Sequence, residues 1–185
     1  MARLASNLQT NPPVRDSVLA NYLLYQAGWF ACVLGSAWHR PWLGFAIGLV
    51  LLLLQIALAT DRRRDARLIG LAVAVGFWVE VLLLATGTYS FTSGTFAAVL
   101  PPAWMLLMWA QFGATFPHSL KPIIKRPVLA AVFSALGGPI AFIAGQGLGA
   151  VTLLPPVSTG LLRLAVCWAI AMTVLSTAAR SYPDD

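Results

Sequence analysis

Charge is what this sequence has least of. Only 10% of its 185 residues are Asp, Glu, Lys or Arg, where a soluble domain carries about 25%. Most side chains must therefore face lipid or one another. A globular alternative would need a very large dry core, and a chain this short does not provide one. Cysteine is almost missing as well. Cys32 and Cys167 both lie inside apolar runs, which reads as reduced packing residues. With no CxxC pair there is no redox, zinc or haem spacing. A phosphate loop, a Ser/His/Asp order and a nucleotide fingerprint are also missing, so no cofactor is expected.

The net charge of +6 suggests a nucleic-acid partner at first sight. The charges sit in short loops between apolar runs, however, which is the form that positive-inside topology takes. No nucleic-acid partner is expected. What is present is hydrophobicity: 59% of the residues, with a mean hydropathy of +0.79, arranged in six runs. The expectation is an all-α polytopic membrane protein with six transmembrane helices. A polar lead covers 1–17, a six-helix domain 18–180 and a short tail 181–185. The first run is full length and lacks a convincing small-residue cleavage site, so it reads as an uncleaved anchor rather than a signal peptide.

The first span, Val18 to Ala37, carries Asn21, Gln26 and Trp29. Tyr22, Tyr25 or Gln26, Trp29 and Val33 share one helical face. That face is too polar for lipid, so Gln26 and Trp29 are expected to look inward, while Tyr22 suits an interfacial belt. Trp38–Trp42 makes a tight outer turn with a solvated His39. The second span, Leu43 to Ala59, has Gly44 and Gly48 at a spacing that lets helices approach closely. Asp61–Arg67, DRRRDAR, reads as a cytoplasmic loop. The third span, Leu68 to Thr86, contains Glu80. Ala72, Gly76 and Glu80 share a face, so another helix can approach beside the carboxylate.

Gly87–Val99 reads as an outer loop. Pro101-Pro102 open a fourth span that runs to about Leu120, and in it Trp104, Met108, Gln111, Thr115 and His118 form one stripe. Lys121–Pro127 is the second basic loop. The fifth span, Val128 to about Val151, is broken by Gly137-Gly138-Pro139, where a proline removes a backbone hydrogen bond and should kink the helix. Gly137, Ala141, Gly145 and Gly149 make a ridge suited to close helix contact, with Gln146 beside it. Thr152–Gly160 is the last outer loop. The sixth span, Leu161 to Ala179, has Arg163 snorkelling at its outer end. Of the Lys and Arg residues only Arg40 and Arg163 fall on the outer side, which places both termini in the cytoplasm. No repeat relates the first three spans to the last three, so an inverted-repeat transporter is not supported.

Glu80 is the residue to explain, because an ionisable group in hydrocarbon costs at least ~2.5–3.5 kcal/mol on insertion scales. It lies roughly 18 Å from the cytoplasmic end of its span, and Gln111 about 15 Å from the outer end of a span running the other way. In a core of ~30 Å the two are within a turn in depth, which predicts a direct hydrogen bond. His118 lies about 10 Å nearer the cytoplasm and reaches Glu80 only through Thr115, a water or a ligand. A lone Glu and a lone His at different depths do not form a metal ligand set, so no metal is expected. Read one way, Glu80 is a neutral acid hydrogen-bonded to Gln111 or a carbonyl and serves packing specificity. Read the other way, it titrates in a small polar cavity as acid, base or ligand anchor.

Several stretches are distinctive: NYLLYQAGWFACVLG, Pro41-Trp42-Leu43-Gly44, Pro102-Ala103-Trp104 with LMWAQFGATFPHSL, and GGPIAFIAGQGLGAV. Over about Asn21 to Val151 they resemble an uncharacterised family of small bacterial inner-membrane proteins, domain of unknown function 2878. The family pattern commonly has an aspartate at the position of Glu80 and an asparagine at that of Pro117. The acid is kept in kind; Pro117 departs. The resemblance implies a multi-pass protein of the bacterial inner membrane and a leaning toward a lipid-linked role, and it brings no reaction with it.

The expected function is therefore a membrane pocket centred on Glu80 that binds a hydrophobic or lipid-like molecule. Gln111, Trp104, Trp109, Thr115 and His118 would line it from the fourth span, and Gln26, Trp29 and Gln146 from the first and fifth. Trp109 lies off the main stripe. A membrane acid/base enzyme would use Glu80 as its acid with His118 as a relay, though a single acid is a thin catalytic set. Two rivals remain: a small proton-coupled transporter hinged at Gly137–Pro139, and a non-catalytic subunit whose glycine ridges dock a membrane partner.

Overall fold

A computed structural model describes residues 18–181; the lead over 1–17 and the tail beyond Ser181 lie outside the described residues. The elements in order are α1 (Val18–Ala37), α2 (Pro41–Leu58), α3 (Arg62–Ala85), β1 (Tyr89–Phe91), α4 (Ala103–Gly113), α5 (Lys121–Ile124), α6 (Pro127–Gly147), β2 (Val151–Leu153) and α7 (Val157–Ser181). Five helices, α1, α2, α3, α6 and α7, are long and apolar enough to cross a membrane. Their outward faces are bare hydrocarbon: Leu43, Ile47 and Val50 on α2, Val132, Leu136 and Ile140 on α6, and Leu162, Val166 and Ile170 on α7 are all exposed. Apolar surface this continuous belongs to a protein whose solvent is lipid.

α1 and α2 form a hairpin whose backbones touch. A Cβ on Gly35 would lie 2.7 Å from the Cα of Gly44, and one on Gly44 would lie 2.5 Å from the carbonyl oxygen of Ala31. The turn between them holds His39 exposed, at a left-handed φ of 56°. α6 and α7 form a second hairpin, in which Gly138 faces the indole of Trp168. α3 packs against α7 and α4, and α4 also meets α1 and α2.

Four features differ from the sequence expectation. The DRRRDAR segment is helix from Arg62 onward. Asp61 caps it, accepting hydrogen bonds from the backbone of Arg63 and Arg64 at 3.0 Å each, which satisfies donors that a helix start otherwise leaves orphaned. The all-α expectation misses an antiparallel ribbon that pairs Tyr89 with Leu153 and Phe91 with Val151. Each strand is three residues long, too short to write a period-two pattern. The fourth span is an 11-residue helix, about 16 Å long. It stops because Pro117 has no N–H for the Gly113 carbonyl, and Ala114–Leu120 continues as turns held by Leu120 N to Thr115 O at 2.9 Å. Finally, α6 stays helical through Pro139.

α4 is mostly apolar because α1, α2 and α3 pack around most of it. Trp104, Met105, Leu107, Trp109 and Phe112 are buried, and so are Ala114 and Phe116 beyond it. The small residues of α3 make room: a Cβ on Gly113 would lie 2.8 Å from the Ala72 Cβ. The close approach expected beside Glu80 is therefore present, and α4 is the helix that makes it. Asn21 ties the far end together. Its Nδ2 donates to Ala114 O at 3.1 Å, its Oδ1 accepts from Ser119 Oγ at 2.9 Å and its carbonyl accepts from Gln55 Nε2 at 3.3 Å. Arg62, Arg63, Arg64, Arg67, Lys121, Lys125, Arg126 and Arg180 gather toward this end of the bundle; among the described residues only Arg40 and Arg163 carry positive charge at the other.

Candidate functional site

Glu80 is fully buried, and both of its oxygens are taken. Trp109 Nε1 donates to Oε1 at 3.0 Å, and the Tyr89 hydroxyl donates to Oε2. Tyr89 arrives on β1, so the ribbon places the phenol. Its ring packs on Phe142 of α6 with centroids 4.4 Å apart. Burial, and then the neighbouring Glu80, pushes the Tyr89 phenol well above its ordinary range, so it stays a donor. On its other side Trp109 stacks on Trp168 of α7, with centroids 4.8 Å apart and planes at 26°.

Beyond this aromatic layer runs a groove whose two walls are α1 and α6. Its outer part has a volume of ≈ 50 Å³ and is lined by Trp29, Val33, Trp104, Trp109 and Gly145 among others. The next part has a volume of ≈ 240 Å³ and is lined by Tyr22, Gln26, Thr115, Phe133 and Gly137. The two parts share Tyr25, Phe112, Ala141 and Trp168. One helical turn further along both walls, a third opening of ≈ 590 Å³ lies between Val18 and Leu129 and is edged by His118, Lys121, Lys125 and Arg126. Along α1 the lining runs from Val18 to Val33, about 22 Å of helix. Trp168 lines both parts of the groove, and its indole Nε1 is a buried donor with no hydrogen-bond partner.

The expected residues divide accordingly. Trp29, Trp104 and Trp109 line the outer part of the groove, and Gln26 and Thr115 the inner part. Glu80 stands behind Trp109 and is not among the lining residues. Gln111 does not meet Glu80: its Nε2 donates to Gly48 O at 2.8 Å, in a notch between Gly28 and Gly48 that no side chain obstructs. His118 is no relay to Glu80. Its Nε2 lies 3.0 Å from Asp65 Oδ2, and Asp65 is fifteen residues before Glu80 on α3, about 22 Å along the axis. Gln146 is exposed and accepts from Leu153 N at 2.7 Å, which steadies the ribbon rather than the groove. Arg163 caps α3, donating from Nη1 to Thr86 O at 2.7 Å. No cluster of three or more metal-ligating side chains occurs among the described residues.

Sequence reasoning missed Tyr89, Trp168 and Asp65. Tyr89 reads as a loop aromatic because nothing local announces the ribbon. Trp168 is one of seven tryptophans, and no pattern sets it apart. Asp65 reads as loop charge because it lies among arginines.

The profile of a family described as "Protein of unknown function (DUF2878)" matches residues 18–174. The chain belongs to the DUF2878 family. The matched region begins with α1 and ends within α7, so it includes Glu80, Tyr89, Trp109, Trp168 and both groove walls of this DUF2878 protein. No curated protein and no solved structure matches the chain.

Proposed function

We propose that this DUF2878 protein holds the chain of a lipid-like amphiphile in the groove between α1 and α6. The observation that carries the reading is the groove itself: two cavities that share four lining residues, with an aromatic floor and one unpartnered indole donor. An acceptor on the bound molecule would satisfy Trp168, because a buried donor left unpaired costs roughly 1–3 kcal/mol. In this reading the chain crosses a bacterial inner membrane six times. The fourth pass is made by α4 and the turns that follow it, from Trp104 beside Ser93 to His118 beside Asp65. The cationic end faces the cytoplasm, by the bias of Lys and Arg, which puts both termini there.

Glu80 then acts as a positioning residue that fixes Trp109 and Tyr89. An acid/base role would first require the buried carboxyl to be opened to a substrate. The test is native mass spectrometry with lipid extraction, comparing wild type with Gly137→Leu. A Cβ on Gly137 meets nothing within 4 Å, so the leucine fills the groove without disturbing α6. Loss of a defined co-purifying molecule at unchanged helicity supports the reading. Equal retention in both proteins overturns it.

A further inference from the structure

We infer that the groove selects an anionic phospholipid, whose phosphate headgroup sits at the cationic opening between α1 and α6 and whose acyl chain lies along the aromatic floor. The inference rests on the groove reading and adds the headgroup. Charge complementarity carries it. The opening next to the groove is edged by Lys121, Lys125 and Arg126, with His118 beside them. Lys125 and Arg126 are exposed, in the short connection between α5 and α6. Among the described residues Asp65 reaches this opening through His118; it is buried and engaged with His118 Nε2 at 3.0 Å, while Lys125 and Arg126 stand exposed. Basic openings between membrane helices on a cytoplasmic face suit phosphate headgroups, each cation contributing a factor of about five.

Geometry gives the tail its place. The same two helices that flank the cationic opening through Val18 and Leu129 flank the groove one turn later through Tyr22 and Phe133. A headgroup at Lys125 and Arg126 therefore leaves its acyl chain at the start of the groove. From Tyr22 to Val33 the lining then continues for about 16 Å along α1, to about the midplane of a core ~30 Å thick. That length takes the greater part of an acyl chain, most of it in the roomier inner part of the groove. A zwitterionic lipid fits the tail equally well and lacks the net charge that the opening favours.

The experiment is native mass spectrometry of the full-length protein in detergent, offered equal amounts of dioleoyl-phosphatidylglycerol and dioleoyl-phosphatidylcholine. Four proteins are compared with wild type. Lys125→Gln with Arg126→Gln removes two cations at the opening. Arg62→Gln with Arg63→Gln removes two exposed cations at the same end of the bundle, away from it. Gly137→Leu fills the groove, and Gly147→Leu is a matched change at a site where a Cβ likewise meets nothing within 4 Å and which does not line the groove. Wild type should retain phosphatidylglycerol preferentially. The Lys125/Arg126 variant should lose roughly thirtyfold of that preference while still retaining lipid. The Arg62/Arg63 and Gly147 variants should match wild type, and Gly137→Leu should retain neither lipid. If wild type shows no preference, or if the two arginine-bearing double variants lose it equally, the headgroup assignment is overturned while the groove stands. If Gly137→Leu and Gly147→Leu both retain lipid as wild type does, the groove reading falls and takes the headgroup with it. Circular dichroism on each variant separates lost binding from lost fold.

Discussion

The indole of Trp109 occupies the space that a side chain at Gly76 would fill: a Cβ there would lie 2.2 Å from the indole Cγ. Gly76 is one helical turn from Glu80, so the missing side chain is what lets the Trp109 N–H reach the carboxylate at 3.0 Å. Gly76→Ala should push the ring away and break that bond. Overpacking of a tight core costs roughly 1–3 kcal/mol, and an orphaned donor adds to it. A clear fall in the thermal midpoint in detergent is expected, with a shifted tryptophan emission. A variant that melts with wild type would mean that α4 slides freely along α3.

Glu80 itself should tolerate amide better than hydrocarbon. In Glu80→Gln the oxygen still accepts from Trp109, and the new N–H can donate to the Tyr89 oxygen, because a phenol is both donor and acceptor. In Glu80→Leu the Trp109 and Tyr89 donors are both left unpaired in a buried site, at about 1–3 kcal/mol each. Unfolding measurements should rank Leu well below Gln. Tyr89→Phe should destabilise wild type and cost little in the Leu background, the difference being the coupling energy of the double-mutant cycle. Equal stability of the Gln and Leu variants would remove the positioning role assigned to Glu80.

The five long helices were legible in the sequence because lipid writes itself in composition: a run of about twenty apolar residues has few other readings. Ala72, Gly76 and Glu80 were legible as a contact face because the helical period fixes which residues share a side. The partner of Glu80 was not. Depth placed Gln111 level with it, and depth was right to within a turn. Rotation about the α4 axis decided the contact instead, turning Trp109 toward α3 and Gln111 toward Gly48. A stripe of polar residues does not reveal that angle when the helix carrying it is buried on most sides. Tyr89 was hidden for another reason: its position depends on pairing with Leu153, sixty-four residues away, and three-residue strands carry no local signature. Pro117 was visible in the fourth span, and its effect on the length of that helix follows from the N–H it lacks.

Trp168→Phe separates the groove from the core. The change removes the unpartnered Nε1 donor and keeps an aromatic face for Trp109. Relief of the buried donor offsets the smaller ring, so the ligand-free protein should melt within about 1 kcal/mol of wild type. Retention of a co-purifying molecule should nevertheless fall, by about the strength of one hydrogen bond, three- to tenfold. Retention equal to wild type would show that the bound molecule presents no acceptor to this indole.

Two adjacent glycines of α6 should respond to alanine with opposite signs. A Cβ on Gly138 would lie 2.5 Å from the Trp168 Cγ, because the α6–α7 hairpin closes on that ring. Gly138→Ala should therefore destabilise by roughly 1–3 kcal/mol and disturb the Trp109–Trp168 stack. Gly137, one residue earlier, points into the groove and meets nothing within 4 Å. There alanine adds helix propensity of about 1 kcal/mol over glycine and takes up little of the space, so Gly137→Ala should raise the midpoint. The comparison needs no ligand, because it reads the wall of the groove directly. If both variants lose stability alike, the space beside Gly137 is filled by protein, and the groove between α1 and α6 is closed at that level.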